Sequence, residues 1–291
     1  MPTEKWFSAP GRVAGLMSVL VLSACGGGGF IDGEEIGKAY ADALTEGVVC
    51  AFSNCKESPD LALSDISAKF YVTQKDGMVQ VGASLGQSAN LVTTVRPAGA
   101  DKITATVNGQ NLNLADDSKG LRLHYSGQMR ESSAQPVVTV SFQRGNDSYP
   151  ATVTLPPEFS LISPASPLNL TRSAGVMTVQ FNRSVSGTVS AVFNASCQRT
   201  DNSNFTASSS VPHSVVSDTY QVSTAELDKA LTILSRAANN QKPDTPLVTT
   251  CTLDFSWKNE VTGIVSSSLN KYSIIQGLRS VTHRVNYDSR A

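Results

Sequence analysis

The chain has 291 residues, of which 40% are hydrophobic and 16% charged, with 23 Lys and Arg against 24 Asp and Glu. A balance this close to zero excludes a basic surface for nucleic acid and a charge-driven membrane contact, and the apolar fraction excludes a disordered chain. The length suits two ordinary domains. Three His and five Cys provide few ligands for a catalytic metal.

The first 24 residues have the pattern of a secretory signal peptide. Lys5 and Arg12 form a basic flank, and residues 13–22 form a short apolar segment. A helix of that length rises only about 15 Å, half the thickness of a bilayer core, so it is too short for a stable transmembrane helix. We therefore predict a cleaved signal peptide over residues 1–24.

The apolar segment runs directly into Leu22-Ser23-Ala24-Cys25. This tetrapeptide resembles the lipobox of bacterial lipoprotein precursors, in which small residues precede the Cys. The resemblance covers residues 1 to about 29. It implies cleavage before Cys25 and acylation of the sulfur and of the new amino group, which together give stable membrane anchoring. A soluble secreted protein with an accidental Cys at the cleavage site is the alternative.

Gly26 to Gly29 follow the lipobox, so residues 25–31 predict a lipidated Cys and a flexible tether. In lipoproteins of this class, Asp after the Cys tends to retain the protein in the inner membrane, and Gly26 resembles the outer-membrane group. The resemblance therefore implies a bacterial outer-membrane location. It leaves open whether the protein faces the periplasm or the cell surface.

Residues 32–55 predict a short amino-terminal helix that ends in a disulfide loop. Four apolar side chains recur at helical spacing and would share one face of this helix: Ile36, Tyr40, Leu44 and Val48. Cys50 and Cys55 follow at once, and a bridge between them would hold the end of the helix in place.

Residues 61–158 predict a first β-sandwich, because the chain changes to short alternating segments separated by turn residues. Asp76-Gly77 and Asn108-Gly109 stand between apolar runs, and such pairs favour tight hairpin turns. Turns spaced by about ten residues are typical of sandwiches and barrels rather than of folds that alternate strands with helices.

A Pro-rich passage between Pro156 and Pro167 predicts a linker, and residues 165–291 then predict a second β-sandwich. Together with the first sandwich, this predicts a mainly β protein of two tandem, immunoglobulin-like units.

One helix is predicted inside the second sandwich, over residues 223–239. Ser223 and Glu226 have the spacing of a capping box, in which each side chain bonds a backbone N–H at the helix start. Apolar residues at helical spacing predict its buried face: Leu227, Ala230, Leu231, Leu234 and Ala238.

Four cysteines remain without Cys25, and an even number in an exported protein indicates disulfides, with three possible connectivities. We favour Cys50–Cys55 and Cys197–Cys251. Strand alternation puts Cys197 at the end of one inward face and Cys251 at the start of another, where neighbouring strands would bring them together. The spacing of Cys50 and Cys55 differs from a redox C-x-x-C pair, and no His lies near them, which favours a structural role.

Gly82-Ala-Ser84-Leu-Gly86 matches the G-x-S-x-G pattern of serine hydrolases. That chemistry needs the Ser on a sharp strand-to-helix turn, whereas a β-branched run stopped by Pro97 follows here. A strand segment of small residues is the favoured interpretation, and a hydrolase that uses Ser84 is the alternative.

No metal or cofactor site is predicted, because the three His residues lie far apart without H-x-x-x-H spacing or an accompanying carboxylate. His283 shares the phase of buried strand positions, His124 lies on the other face of its strand from Leu123 and Tyr125, and His213 lies in a Pro-containing loop where we expect it to be solvated. Trp257 would suit sugar stacking, but its phase predicts a core position.

The leading functional expectation is a non-enzymatic envelope protein, anchored in the outer membrane through lipid on Cys25 and acting by binding or scaffolding. An envelope protein is the expected partner, and no nucleic acid, metal or cofactor is expected. The alternatives are an envelope serine hydrolase using Ser84 and a glycan- or peptidoglycan-binding module. A pocket of convergent polar side chains would favour the enzyme, an exposed aromatic strip the glycan binder, and an apolar patch or unpaired edge strand a protein partner.

Overall fold

The computed structural model describes four ranges of the chain: residues 55–88, 90–185, 188–216 and 218–290. The predicted signal peptide, the lipidated Cys25 with its tether, and the predicted amino-terminal helix lie outside these ranges. They stay predictions.

Twenty strands and one α-helix make up the regular structure of the described residues. The first ten strands are β1 (Lys56–Glu57), β2 (Ile66–Lys75), β3 (Met78–Gln87), β4 (Asn90–Arg96), β5 (Lys102–Val107), β6 (Gln110–Leu112), β7 (Ala115–Asp116), β8 (His124–Arg130), β9 (Val137–Arg144) and β10 (Asp147–Thr154). The remaining elements are β11 (Leu161–Ser163), β12 (Leu168–Thr171), β13 (Val176–Phe181), β14 (Thr188–Arg199), β15 (Asn204–Ser210), β16 (Ser214–Val216), β17 (Thr219–Ser223), α1 (Thr224–Ala237), β18 (Val248–Thr262), β19 (Ile264–Val265) and β20 (Ile274–Asp288).

Two long antiparallel strands, β18 and β20, form the axis of the fold. Each has 15 residues, which corresponds to about 50 Å of extended chain. They lie within an 11-stranded sheet of order β1-β4-β3-β2-β20-β18-β14-β15, in which β12 also pairs with β20, and β8 with β3 and β7. One edge of β20 pairs first with β2 and then with β12, so a single sheet serves both halves of the protein.

The first core lies between the amino-terminal part of the large sheet and a five-stranded sheet of order β19-β10-β9-β5-β6. Strand β2 shows the alternation that builds it, since Ala68 and Phe70 are fully buried while Lys69 between them is exposed. Phe142 on β9 is fully buried in the same cluster. The result is a β-sandwich.

The second core lies between the other part of the large sheet and a four-stranded sheet of order β11-β13-β17-β16. Phe193, Phe255 and Trp257 project into it from the large sheet and are almost completely excluded from solvent. Leu227 and Leu231 of α1 are buried in the same cluster. The predicted mainly β architecture, with sandwiches and one helix, is confirmed.

The two sandwiches are not consecutive along the chain, which corrects the division into residues 61–158 and 165–291. Val261, Val265, Leu269 and Ile275 pack in the first core, β19 pairs with β10, and the start of β20 pairs with β2. The stretch from about residue 261 to residue 278 therefore belongs to the first sandwich. Strands β18 and β20 carry the chain across because they are far longer than the usual five or six residues.

The predicted linker is also part of the packed body. Leu155 is fully buried in the first core, Phe159 is buried in the second, and β11 pairs with β13. The passage between Pro156 and Pro167 therefore joins the two cores over only a few residues.

Helix α1 spans Thr224–Ala237, slightly less than the predicted 223–239. The predicted capping box is wrong: Ser223 occupies the N-cap position but its side chain makes no capping bond. Thr224 instead donates its hydroxyl to the carbonyl oxygen of Arg172 at 2.9 Å, which ties the helix start to the chain before β13. Leu227 and Leu231 are buried as predicted, whereas Ala238 is exposed.

Both predicted hairpin turns are confirmed. Lys75 pairs with Met78 across Asp76-Gly77, and the second turn, between β5 and β6, is formed by Asn108-Gly109. Asn108 and Gly109 have φ angles of 48° and 79°, the left-handed values that a two-residue turn requires to match the twist of its strands.

The first described residues are held against the first sandwich by arginines. The carboxylate of Glu57 lies 2.6 Å from Arg96 and 3.0 Å from Arg122. Arg144 donates to the carbonyl oxygen of Leu61 at 2.9 Å. Any segment that precedes Lys56 is thus joined to a fixed point of the fold.

Candidate functional site

The predicted Cys197–Cys251 disulfide is confirmed. The two residues are directly opposite one another on the antiparallel strands β14 and β18, with their Cα atoms 4.0 Å apart. Both are buried in the second core, as the alternation of their strands indicated. Cys50 lies outside the described residues, so the Cys50–Cys55 pair stays a prediction.

Ser84 lies in the middle of β3, opposite Lys69 on β2 and His124 on β8. It is therefore not on the strand-to-helix turn that the hydrolase motif requires. Strand β3 is paired on both edges at this point, so its backbone N–H groups are engaged in the sheet rather than available to stabilise an oxyanion. The segment is a strand of small residues, which was the favoured interpretation.

The structure also places a carboxylate beside His124, which the sequence did not reveal. Both carboxylate oxygens of Asp117 lie 2.8 Å from Nδ1 of His124. Nε2 of the same ring lies over Gly82, 3.6 Å from the point that a Cβ there would occupy. Among the contacts of the described residues, no hydrogen bond joins Ser84 to His124.

His283 and Trp257 are core residues, as their strand phase predicted. His283 is 4% exposed, stacks on Phe255 with 5.3 Å between ring centroids, and has no hydrogen-bond partner at either ring nitrogen. Burial lowers its pKa to about 4, so the ring is neutral at pH 7. Trp257 is fully buried and is not accessible for sugar stacking.

The predicted solvation of His213 is wrong. Its ring packs against Trp257 at 5.4 Å and Tyr220 at 5.6 Å between centroids, and the residue is only partly exposed. The loop folds back over the second core because aromatic rings gain both apolar contact and favourable edge-to-face geometry there.

A groove of about 520 Å³ lies on the large sheet at the second sandwich. Two rows of outward side chains line it across neighbouring strands in the order β12-β20-β18-β14-β15, the first row on four of these strands and the second on all five. The first row is Asn169, Asn286, Thr252 and Ser196, and the second is Thr171, Asp288, Thr250, Gln198 and Asn204. All nine side chains are polar, and eight of them are uncharged.

The single carboxylate of these rows is held in an ion pair. Arg290 donates to both oxygens of Asp288, at 3.0 and 2.8 Å. These bonds lower the pKa of Asp288 to about 2, so it is an anion at neutral pH with its charge compensated. Asn286 donates to Asn169 at 3.0 Å, which orients two of the amides.

The sequence contained part of the signal for this groove. The alternation of β14 and β18 identified Ser196 and Thr252 as outward positions. It did not show that β12 and β20 would lie alongside and extend the polar face, because strand order in a sheet depends on pairing between segments distant in sequence.

Two other functional features are absent from the described residues. No group of three or more His, Cys, Asp or Glu side chains in this part of the chain is arranged to hold a metal ion. No helix within the same ranges has the length and apolar character needed to cross a bilayer.

No protein-family model and no curated protein matches the chain. Among solved structures, the Yersinia pseudotuberculosis adhesin InvE matches with a TM-score of 0.22 and 11% identity, over 78% of this chain and 60% of the other. Extracellular domains 3–5 of Drosophila OTK match with a TM-score of 0.21 and 8% identity, over 78% and 62%. The chain thus spans less than two thirds of either structure, and TM-scores this low mean that neither superposes on it as a whole.

Proposed function

We propose that this protein is a lipid-anchored component of the bacterial cell envelope that acts by binding or scaffolding at the outer membrane, without catalysis. The groove on the large sheet is the observation that supports the binding role. Its lining offers many hydrogen-bonding groups, while its one outward carboxylate, Asp288, is engaged by Arg290. A polar pocket alone would also suit an enzyme, but this lining provides no uncommitted acid or base.

The envelope location rests on the amino-terminal sequence and on the disulfide. The lipobox resemblance at Leu22–Cys25 supports export and anchoring through acyl chains on Cys25. The buried Cys197–Cys251 bridge is of the kind that forms and persists in oxidising compartments.

A scaffolding role is supported by the way the sandwiches are joined. Because β18 and β20 run through both of them, the two units share one continuous sheet. A body of this kind holds a binding surface at a defined position relative to its attachment point near Lys56.

Anchoring and binding are tested together by Cys25→Ala. The wild-type chain should fractionate with outer membranes and carry the mass of an acylated Cys, and the variant should lose both. Crosslinking in intact envelopes followed by pull-down should then recover a partner with the wild-type chain only. Equal membrane recovery of the two chains would refute the anchor, and identical crosslinks would refute the scaffolding role.

A serine hydrolase that uses Ser84 is the second candidate, favoured by the Asp117–His124 pair on the same sheet face. A fluorophosphonate probe tests it, because such probes label an activated serine covalently. We expect no labelling of the wild-type chain beyond that of Ser84→Ala. Labelling that disappears in Ser84→Ala and in His124→Ala would establish the hydrolase instead.

A further inference from the structure

We name the short side chains of β18 and Ser196 the floor of the groove, and amide side chains lie to either side of them. Strand β18 contributes Thr250 and Thr252 to the floor, and Ser196 on β14 lies beside Thr252. Asn286 stands on one side of this floor and Asn204 on the other. The volume of about 520 Å³ lies within the roughly 300–1,000 Å³ of small-ligand sites.

The electrostatics of the lining select against charged ligands. No Lys, Arg or His lines the groove, so an anion would meet no cation among the lining side chains. A cation would find only Asp288, whose charge Arg290 already neutralises. What remains is a surface of hydroxyls and amides, which both donate and accept hydrogen bonds.

The position of the groove selects against an extended peptide. It lies on the face of the sheet, and its three central strands β20, β18 and β14 are paired on both sides, so the backbone N–H and C=O groups of these strands are used in the ladders. A peptide cannot add there as a further strand, which is how extended peptides usually bind sheets. The outward side chains therefore provide the groups that bond a ligand.

From these observations we infer that the groove binds a neutral saccharide, whose hydroxyls match the row of hydroxyl and amide side chains. This inference rests on the proposed binding role and names its ligand class. The one aromatic residue of the lining, Tyr287, is 1% exposed, and the exposed Tyr272 lies elsewhere, so no ring of the described residues is placed to stack on the sugar. Binding depends on hydrogen bonds, and its affinity is low for a single site.

Three neutral tetrasaccharides serve as probes for the full-length chain in detergent: maltotetraose, cellotetraose and the tetramer of N-acetylglucosamine. Saturation-transfer NMR and titration should detect binding of at least one of them. Thr252→Lys fills the floor and should abolish binding, and Asn286→Ala should weaken it by about tenfold, the effect of one or two lost hydrogen bonds. Circular dichroism confirms that each variant is folded.

The matched control is Asn194→Ala, an exposed amide on the outward face of β14 that lies outside the lining. Its affinity should stay within about twofold of the wild-type value. Binding that survives both groove variants, or stronger binding of a sulfated tetrasaccharide than of its neutral counterpart, would overturn the inference. If no tetrasaccharide binds at about 10 mM while Cys25-dependent crosslinks persist, the ligand class is wrong and the binding role stands.

Discussion

Gly263→Ala should lower the free energy of unfolding more than an ordinary surface substitution does. Gly263 follows β18, and its N–H donates to the carbonyl oxygen of Ile275 at 2.9 Å. A Cβ at this position would clash with the carbonyl oxygen of Thr152, and it would lie 2.8 Å from side-chain atoms of both Ile275 and Val153. Two packed segments of the first sandwich would have to separate to make room.

The expected loss of stability depends on which atoms the new Cβ would clash with. The nearest obstacle is a backbone oxygen of β10, whose strand is paired on both sides, so it cannot rotate aside as a side chain would. Overpacking in a well-packed core costs about 1–3 kcal/mol, and we expect about 3 kcal/mol because the obstacle is backbone. The free energy of unfolding should be measured by urea titration of the full-length chain.

Gly82→Ala is the matched control. Gly82 lies within β3 of the large sheet, and the atoms nearest to a new Cβ there are ring atoms of His124 at 3.6 and 3.8 Å, which is ordinary contact. Its stability should change by less than about 0.5 kcal/mol. A loss below about 1 kcal/mol in Gly263→Ala would refute the close approach of β18 and β10, and with it the assignment of residues 261–278 to the first sandwich.

Two further predictions concern the second sandwich. Replacing Cys197 and Cys251 together by Ala should lower the free energy of unfolding by about 4 kcal/mol in the chain-entropy model, given their separation of 54 residues; an unfolding midpoint equal to that of the wild-type protein would contradict it. His283 has a pKa of about 4 in the folded protein against an ordinary value of 6.5, so the unfolded chain binds the extra proton and stability falls as the pH drops from 6.5 towards 4. Between pH 7 and pH 4.5 the wild-type protein should lose about 2 kcal/mol more than His283→Phe, and parallel pH profiles of the two would refute it.

Local features of the fold were readable from the sequence because they depend on neighbouring residues. Asn108-Gly109 predicted its hairpin through the backbone preferences of two residues. The inward phase of Cys197 and Cys251 predicted their bridge through strand alternation alone. In both examples the decisive physical signal lies within one strand or one turn.

Strand pairing could not be predicted from the sequence, and the predicted division into two consecutive sandwiches was wrong for that reason. Burial alternates from Val248 to Trp257 and is then interrupted, because Lys258 and Asn259 are buried next to Trp257. The polar run from Lys258 to Glu260 marks this point in the sequence, but alternation has the same period whichever sheet faces the strand, so the run does not show that the strand leaves one core and enters the other. The contact between Asp117 and His124 was missed similarly, because it depends on how β7 and β8 meet.

The predicted capping box was wrong because the residue after Ser223, and not Ser223 itself, makes the side-chain hydrogen bond at the helix start. Ser223 is the last residue of β17 as well as the N-cap of α1. The neighbouring Thr224 hydroxyl makes a tertiary bond to Arg172 instead. A spacing rule for helix starts does not include such long-range partners.

The sharing of β18 and β20 also sets an order of events during synthesis. The first sandwich is encoded mostly before residue 158, yet it needs β19 and the start of β20, which emerge after most strands of the second sandwich. It cannot close before these strands have been made, so it cannot fold ahead of the second sandwich as separate domains commonly do. A chain interrupted before residue 261 would leave β2 and β10 with unpaired edges, and edges of that kind invite aggregation.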